Sequence, residues 1–113
     1  MTSDRLKRMV EKRDKYCWHC GTDTDLIPHH RANRGMGGRK SLDRIDNLML
    51  VCAIYNGLME SDAGMASQAR DFGHKLQSWN EFSDPVFDQF DLSWWILSED
   101  GSKIRTQAPT YLI

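Results

Sequence analysis

The stretch Asn47-Leu-Met-Leu-Val-Cys52-Ala-Ile-Tyr-Asn56 decides the fold, because it changes character halfway along. Its residues 48–51 form a continuous apolar run with the length of a short buried strand. From there, residues 53–72 carry apolar side chains at roughly helical spacing, although Gly57 and Gly64 weaken this pattern. We therefore predict a strand followed at once by a helix, with a break near Gly64 left open.

A second short strand precedes this stretch. Residues 26–30 read Leu-Ile-Pro-His-His, and Pro28 favours an edge strand because proline cannot donate a ladder hydrogen bond. If this strand pairs antiparallel with residues 48–51, the following helix can lie across the hairpin. Asn56 would then come close to the two histidines.

The flanking segments add one helix and one hairpin. Thr2 or Ser3 can cap a helix over about residues 4–14, whose apolar positions have helical spacing. Near the other end, an Asp100-Gly101 pair separates two β-prone runs and predicts a hairpin extension over about residues 85–107. The fold class expected is α+β, in a single domain over residues 1–113.

Composition limits the class of protein. The 113 residues are 40% hydrophobic and 10% aromatic, which suits one small folded domain with a modest core. A core of this size is usually marginal, so a metal ion or a partner is expected. No apolar run is long enough to cross a membrane, and residues 1–10 are too charged for a signal peptide. We expect a soluble cytoplasmic protein without a membrane partner.

Charge is distributed unevenly along the chain. The net charge is −1, but residues 1–44 hold 11 Lys or Arg against 6 acidic residues, and residues 45–113 hold 4 against 10. A basic half on a nearly neutral protein can bind a polyanion, and solvated charged faces are an equally good explanation. Residues 31–40 form a basic segment with three glycines, which allow a close approach to phosphate.

The three cysteines point to metal binding. Cys17 and Cys20 have the Cys-x-x-Cys spacing of a metal knuckle, and Cys52 stands apart. In a reducing compartment this set indicates metal ligation before disulfide pairing.

Several motifs follow one another in a fixed order: Cys17-x-x-Cys20, His29-His30, Asn47 and Asn56. They lie on a predicted strand, basic loop, strand and helix, and this order resembles the His-Asn-His (HNH) nuclease family. The resemblance covers about residues 15–62 and implies a ββα-metal core. It extends to small phage members with a similar hairpin tail.

This resemblance implies a role for each residue of the series. His30 would be the general base, His29 a ligand of one catalytic divalent ion, and Asn47 the residue that holds the loop and thereby the base. Asn56 stands where the last histidine of the family motif would be and would be the second ion ligand. Glu60, one helical turn further on, is a weaker candidate for the same ion.

The chemistry of phosphodiester cleavage suits these residue types. Imidazole is the side chain that accepts a proton near neutral pH without a perturbed pKa. A divalent ion supplies positive charge to the transition state, with Mg²⁺ favoured and Mn²⁺, Ni²⁺ or Zn²⁺ as alternatives. The products implied are 5′-phosphate and 3′-hydroxyl ends. The basic side chains between the two strands are predicted to contact the DNA backbone; they are Arg31, Arg34, Arg39, Lys40 and Arg44.

The sequence departs from the family at the second knuckle. Many members carry two Cys-x-x-Cys knuckles around a structural zinc ion, but this chain has Tyr55 where the fourth cysteine would be. Three alternatives stay open. Zinc is held by Cys17, Cys20 and Cys52 with a water, His19 or another outside ligand; the site fills only at high zinc; or Tyr55 packs where the metal was.

Other functions stay open as well. The second hypothesis is a non-catalytic zinc-knuckle module that binds nucleic acid or a protein, and a cysteine-based redox protein is a weaker third. A phage-encoded enzyme would act in the bacterial host, beside a terminase or as a free-standing homing or restriction nuclease. The sequence leaves the oligomeric state and the sequence preference open. His74 has no partner pattern and is predicted to lie at the surface.

Overall fold

A two-stranded antiparallel hairpin lies at the centre of the structure. Strand β1 (Leu26–His30) pairs with β2 (Leu48–Cys52), and His29 stands opposite Met49. Every residue of β2 is buried, as its apolar composition predicts. The antiparallel pairing predicted from the sequence is confirmed.

The computed structural model describes residues 3–32 and 42–109. Within these ranges the chain forms an α+β fold with three α-helices and two small antiparallel sheets. A short 3₁₀ turn (Ile45–Asn47) leads into β2. None of the helices in the described ranges has the length and apolarity needed to span a bilayer.

Helix α1 (Asp4–Asp14) covers the predicted range and is fixed to β2 by a buried ion pair. The Ser3 hydroxyl caps the helix by accepting from the Leu6 amide. At the other end, the Arg13 guanidinium donates to the Asp14 carboxylate and to the Leu48 carbonyl. Asp14 also accepts a hydrogen bond from the Leu50 amide at 3.0 Å. The pair therefore links the helix end to the strand.

Two short helices follow β2, where the sequence predicts a helix with a break near Gly64 left open. Helix α2 (Ala53–Ser61) ends before Asp62, and α3 (Ala63–Asp71) begins after it. Asp62 caps α3, because its Oδ1 accepts from the Met65 amide at 3.0 Å. The break therefore falls two residues before Gly64, at the residue that can cap a new helix.

The C-terminal segment forms a separate three-stranded sheet. Its strands are β3 (Val86–Asp88), β4 (Ser93–Leu97) and β5 (Lys103–Thr106), in the order β3-β4-β5. The β4–β5 hairpin turns at Asp100-Gly101 as predicted, and Gly101 has a φ of 91°, which favours glycine. Strand β3 was not predicted as a member of this sheet.

Candidate functional site

A pocket of about 250 Å³ opens between β1 and α2, and we call it the histidine pocket. Its polar lining comes from His29 and His30 of β1, Arg31 directly after β1, Asn56 and Glu60 of α2, and Lys75 after α3. The four predicted residues on β1 and α2 thus line one pocket. The two histidines are 26 to 31 positions away from Asn56 and Glu60 along the chain.

His29 is buried and has one ring nitrogen engaged by the backbone. Its Nε2 lies 2.7 Å from the carbonyl oxygen of His74. Because a carbonyl only accepts, Nε2 carries the proton and Nδ1 keeps its lone pair. Burial lowers the pKa of His29 to about 4, so the ring is neutral at pH 7.

His30 is partly exposed and bonds to a carboxylate. Its Nε2 lies 2.6 Å from Oδ1 of Asp43. The carboxylate orients the ring and favours the tautomer with the proton on Nε2, which leaves Nδ1 able to accept one. Sequence reasoning missed Asp43, because no local pattern indicates that an acid after the basic segment will contact His30.

Asn47 is fully buried and bonds to the chain on both sides of residues 33–41. Its Oδ1 accepts from the Ala32 amide at 2.8 Å, and its Nδ2 donates to the Ala32 and Leu42 carbonyls. These three bonds hold the segment that follows His30. This geometry suits both an asparagine with a purely structural role and the predicted positioning role.

Glu60 and Lys75 form an ion pair at the pocket. Glu60 Oε1 lies 3.4 Å from Lys75 Nζ, and the Lys75 side chain is only 17% exposed. The pocket therefore offers imidazole, carboxamide, carboxylate and ammonium groups together. Sequence reasoning missed Lys75, which lies beyond the stretch that resembles the family.

Two of the basic residues predicted to contact DNA have other roles. Arg31 is 1% exposed, and its guanidinium donates to backbone carbonyls at Gly73, Asp46, Phe82 and Asp84.

The burial of Arg31 contradicts a DNA contact for this residue, because its guanidinium bonds to carbonyls inside the fold and not to phosphate. Arg44 donates through Nε and Nη2 to the carboxylates of Asp46 and Glu99 and stacks over Phe82, and its side chain is 37% exposed. The other three predicted contacts, Arg34, Arg39 and Lys40, lie outside the described residues.

The three cysteines form the second site, which we call the cysteine cluster. The sulfurs of Cys17, Cys20 and Cys52 all lie within 4.8 Å of one another, which is compatible with a zinc-type metal site. Within residues 3–32 and 42–109, no other group of three His, Cys, Asp or Glu donors gathers this closely. Burial raises the pKa of the Cys17 thiol to about 11, so an ion that binds there must displace a proton.

Tyr55 stands beside the cysteine cluster and is bonded to His74. The Tyr55 hydroxyl lies 2.5 Å from Nδ1 of His74, and His74 Nε2 lies 2.6 Å from the Phe87 carbonyl oxygen. Since Phe87 can only accept, Nε2 carries the proton and the tyrosine donates to Nδ1. The ring of His19 stacks on Tyr55 with 4.1 Å between centroids.

The prediction of a surface position for His74 is wrong. The residue is completely buried, and burial lowers its pKa to about 3. Its ring bonds to Tyr55 near the cysteine cluster, and its carbonyl accepts from His29 at the histidine pocket. No local sequence pattern indicates these bonds, because both partners are distant in the chain and one is a backbone group.

Comparisons of the chain with protein-family models, with curated proteins and with solved structures found no match. The function is therefore inferred from the chemistry of the histidine pocket and the cysteine cluster.

Proposed function

We propose that the protein is a metal-dependent HNH endonuclease that hydrolyses phosphodiester bonds in DNA, with a ββα-metal core made of β1, β2 and α2. One observation carries the proposal. His29 and His30 from β1 and Asn56 and Glu60 from α2 line the same pocket, as the ordered motif requires.

His30 is the general base in this proposal. The bond from its Nε2 to Asp43 leaves Nδ1 to take a proton from the attacking water. Asp43 fixes the ring orientation and stabilises the imidazolium that forms. Asn47 holds the chain directly after β1 and so limits the movement of His30.

The histidine pocket holds donor types that divalent ions take. A metal-binding histidine commonly donates its other ring N–H to a carbonyl, as His29 does to His74. Asn56 would add an amide oxygen, and Glu60 a carboxylate oxygen. When bound, a divalent ion would supply Lewis-acid stabilisation of the phosphate and the leaving oxygen.

Lys75 adds positive charge at the same pocket. Its side chain is 17% exposed beside Glu60, and its ammonium group can bind a phosphate oxygen of the substrate by a charge-assisted hydrogen bond. Since the Arg31 guanidinium donates to backbone carbonyls, Lys75 is the cation at the pocket that we assign to DNA. A phage setting and a terminase partner stay predictions from the resemblance.

Cleavage of supercoiled plasmid tests the proposal. The purified protein is incubated with Mg²⁺, Mn²⁺, Ni²⁺ or Zn²⁺, beside His30→Ala and the exposed control Gln68→Ala. We expect nicked or linear product from the parent and from Gln68→Ala, and a loss of at least about 100-fold in His30→Ala. Equal cleavage by His30→Ala would refute the role of the base.

The cysteine cluster favours a second candidate, a non-catalytic zinc module that binds nucleic acid. The same samples separate it from the enzyme. A shift of labelled duplex in a gel, with no cleavage under any of the four ions, would support the module and reject the nuclease.

A further inference from the structure

We propose that the cysteine cluster is an open zinc site, in which three thiolates bind the ion and a small donor from solution takes the fourth position. Water, a thiol or an imidazole belongs to this class of donor. The proposal does not depend on nuclease activity, because it concerns a different set of residues.

The spacing of the sulfurs suits a tetrahedral ion. Zinc–sulfur bonds of about 2.3 Å at tetrahedral angles place two sulfurs about 3.8 Å apart. Cys20 and Cys52 have their sulfurs 3.8 Å apart. Backbone amides at His19 and Tyr55 donate to the sulfurs of Cys17 and Cys52, at 3.3 and 3.4 Å, and would stabilise thiolate charge.

Tyr55 does not supply the fourth ligand, although it stands in the place of the missing cysteine. Its hydroxyl donates to His74, and the other nitrogen of that ring is held by the Phe87 carbonyl. Turning the hydroxyl to an ion would leave a ring nitrogen buried without a partner, which is unfavourable. A neutral phenol would gain little as a zinc ligand in return.

His19 does not supply it either. Its ring lies flat against Tyr55, with an angle of 2° between the two planes. Its ring nitrogens are not among the donors that lie within 4.8 Å of one another. Binding would require the ring to leave the stack.

Solution has access to the cluster through one of its members. Cys20 is exposed, whereas Cys17 and Cys52 are buried. Structural zinc sites normally have four protein ligands, and sites that keep a place for an outside ligand have three. The cluster has the second pattern, so its fourth ligand should exchange with solution.

Cobalt substitution tests this inference. Co²⁺ is added to the full chain, and its d–d and thiolate charge-transfer bands are recorded before and after addition of imidazole or 2-mercaptoethanol. Zinc content is measured in parallel. We expect one ion per cluster, three-thiolate charge-transfer intensity, and a shift of the d–d bands with either added donor.

Three variants identify the fourth ligand. His19→Ala and Tyr55→Phe should keep the ion and the response to added donors. Tyr55→Cys should close the site and lose the response; if it fails to fold, the other two variants still decide. Each of three results would overturn the proposal. The parent spectrum does not change when a donor is added, the parent spectrum is lost in His19→Ala or Tyr55→Phe, or the protein binds no metal. Plasmid cleavage is measured separately and does not enter these outcomes, so failure of this proposal is distinguishable from failure of the nuclease proposal.

Discussion

At the scale of single residues, His74 connects the two candidate sites. Its ring accepts from Tyr55 beside the cysteine cluster, and its carbonyl accepts from His29 beside the histidine pocket. In the neutral ring with its proton on Nε2, Nδ1 accepts the Tyr55 hydroxyl hydrogen. Protonation of Nδ1 would reverse this bond, and the tyrosine hydrogen would lose its present acceptor. The arrangement therefore ties the fold to the protonation of one histidine.

The first prediction concerns the pH dependence of stability. The pKa of His74 is about 3 in the folded chain, below its ordinary 6.5, so the unfolded chain binds the proton first as the pH falls. This contribution is complete above about pH 6.5 and is lost at about 1.4 kcal/mol per pH unit below it, towards pH 3. In urea unfolding, His74→Gln should be less stable at pH 7 and should lose that part of the slope.

His29 adds a similar slope between pH 6.5 and about 4, and it remains in both proteins. The comparison of the two slopes therefore isolates His74. Identical pH slopes for parent and His74→Gln would contradict the buried neutral ring.

The second prediction concerns Lys75. If its ammonium binds substrate phosphate, Lys75→Met should lower kcat/KM on DNA by about 10- to 100-fold, the value of one charge-assisted hydrogen bond. The salt dependence of binding should also decrease by about one phosphate contact. The exposed Lys7→Met is the matched control.

Lys75→Met also tests whether Lys75 acts only through its ion pair with Glu60. If Lys75 only balances that carboxylate, Lys75→Met would keep the parent KM and salt dependence. That outcome would remove Lys75 from the DNA interface and leave the role of His30 untouched.

At the scale of elements, α1 depends on the Arg13–Asp14 pair for its place against β2. Both side chains are almost fully buried, and they bond to backbone groups of β2 and of the turn before it. Burying an ion pair does not in itself stabilise a fold, but removing one partner leaves a buried charge.

The third prediction follows from this pair. Asp14→Ala should lower the free energy of unfolding by about 3–5 kcal/mol, measured by urea denaturation. Glu11→Ala, an exposed acid on the same helix, should change it by less than about 0.5 kcal/mol. Similar small losses in both variants would show that the pair does not hold α1.

At the scale of the whole molecule, Arg31 joins the central hairpin to the C-terminal segment. It follows β1 directly, and its guanidinium reaches carbonyls before β2, after α3 and before β3. The backbone amide of Leu76 also donates to the Arg31 carbonyl. These bonds keep Lys75 and the chain around it beside the pocket.

The fourth prediction treats Arg31 as a structural residue. Arg31→Ala leaves several buried carbonyls without donors and should destabilise the protein by about 3 kcal/mol or more. The exposed Arg70→Ala should have little effect on unfolding in the same urea titration. A stable Arg31→Ala protein with weakened DNA binding would restore Arg31 as a DNA contact.

Local patterns in the sequence predicted much of this molecule. The apolar run of β2, the cap of α1 and the Asp100-Gly101 turn each depend on neighbouring residues, and the convergence of Asn56 with His29 follows from the hairpin and helix. Arg31, His74 and Asp43 could not be predicted, because their partners are distant residues or backbone carbonyls. An arginine directly after two histidines, such as Arg31, has the same sequence pattern whether its side chain contacts phosphate or is buried in the fold.

Mn²⁺ binding measured by electron paramagnetic resonance, with a short DNA duplex present, tests most directly whether β1 and α2 share one ion. We predict one pocket ion per chain in the parent and in Gln68→Ala, and affinity reduced by at least about 10-fold in His29→Ala and in Asn56→Ala. Undiminished Mn²⁺ binding in both pocket variants, or none in the parent, would contradict the shared ion.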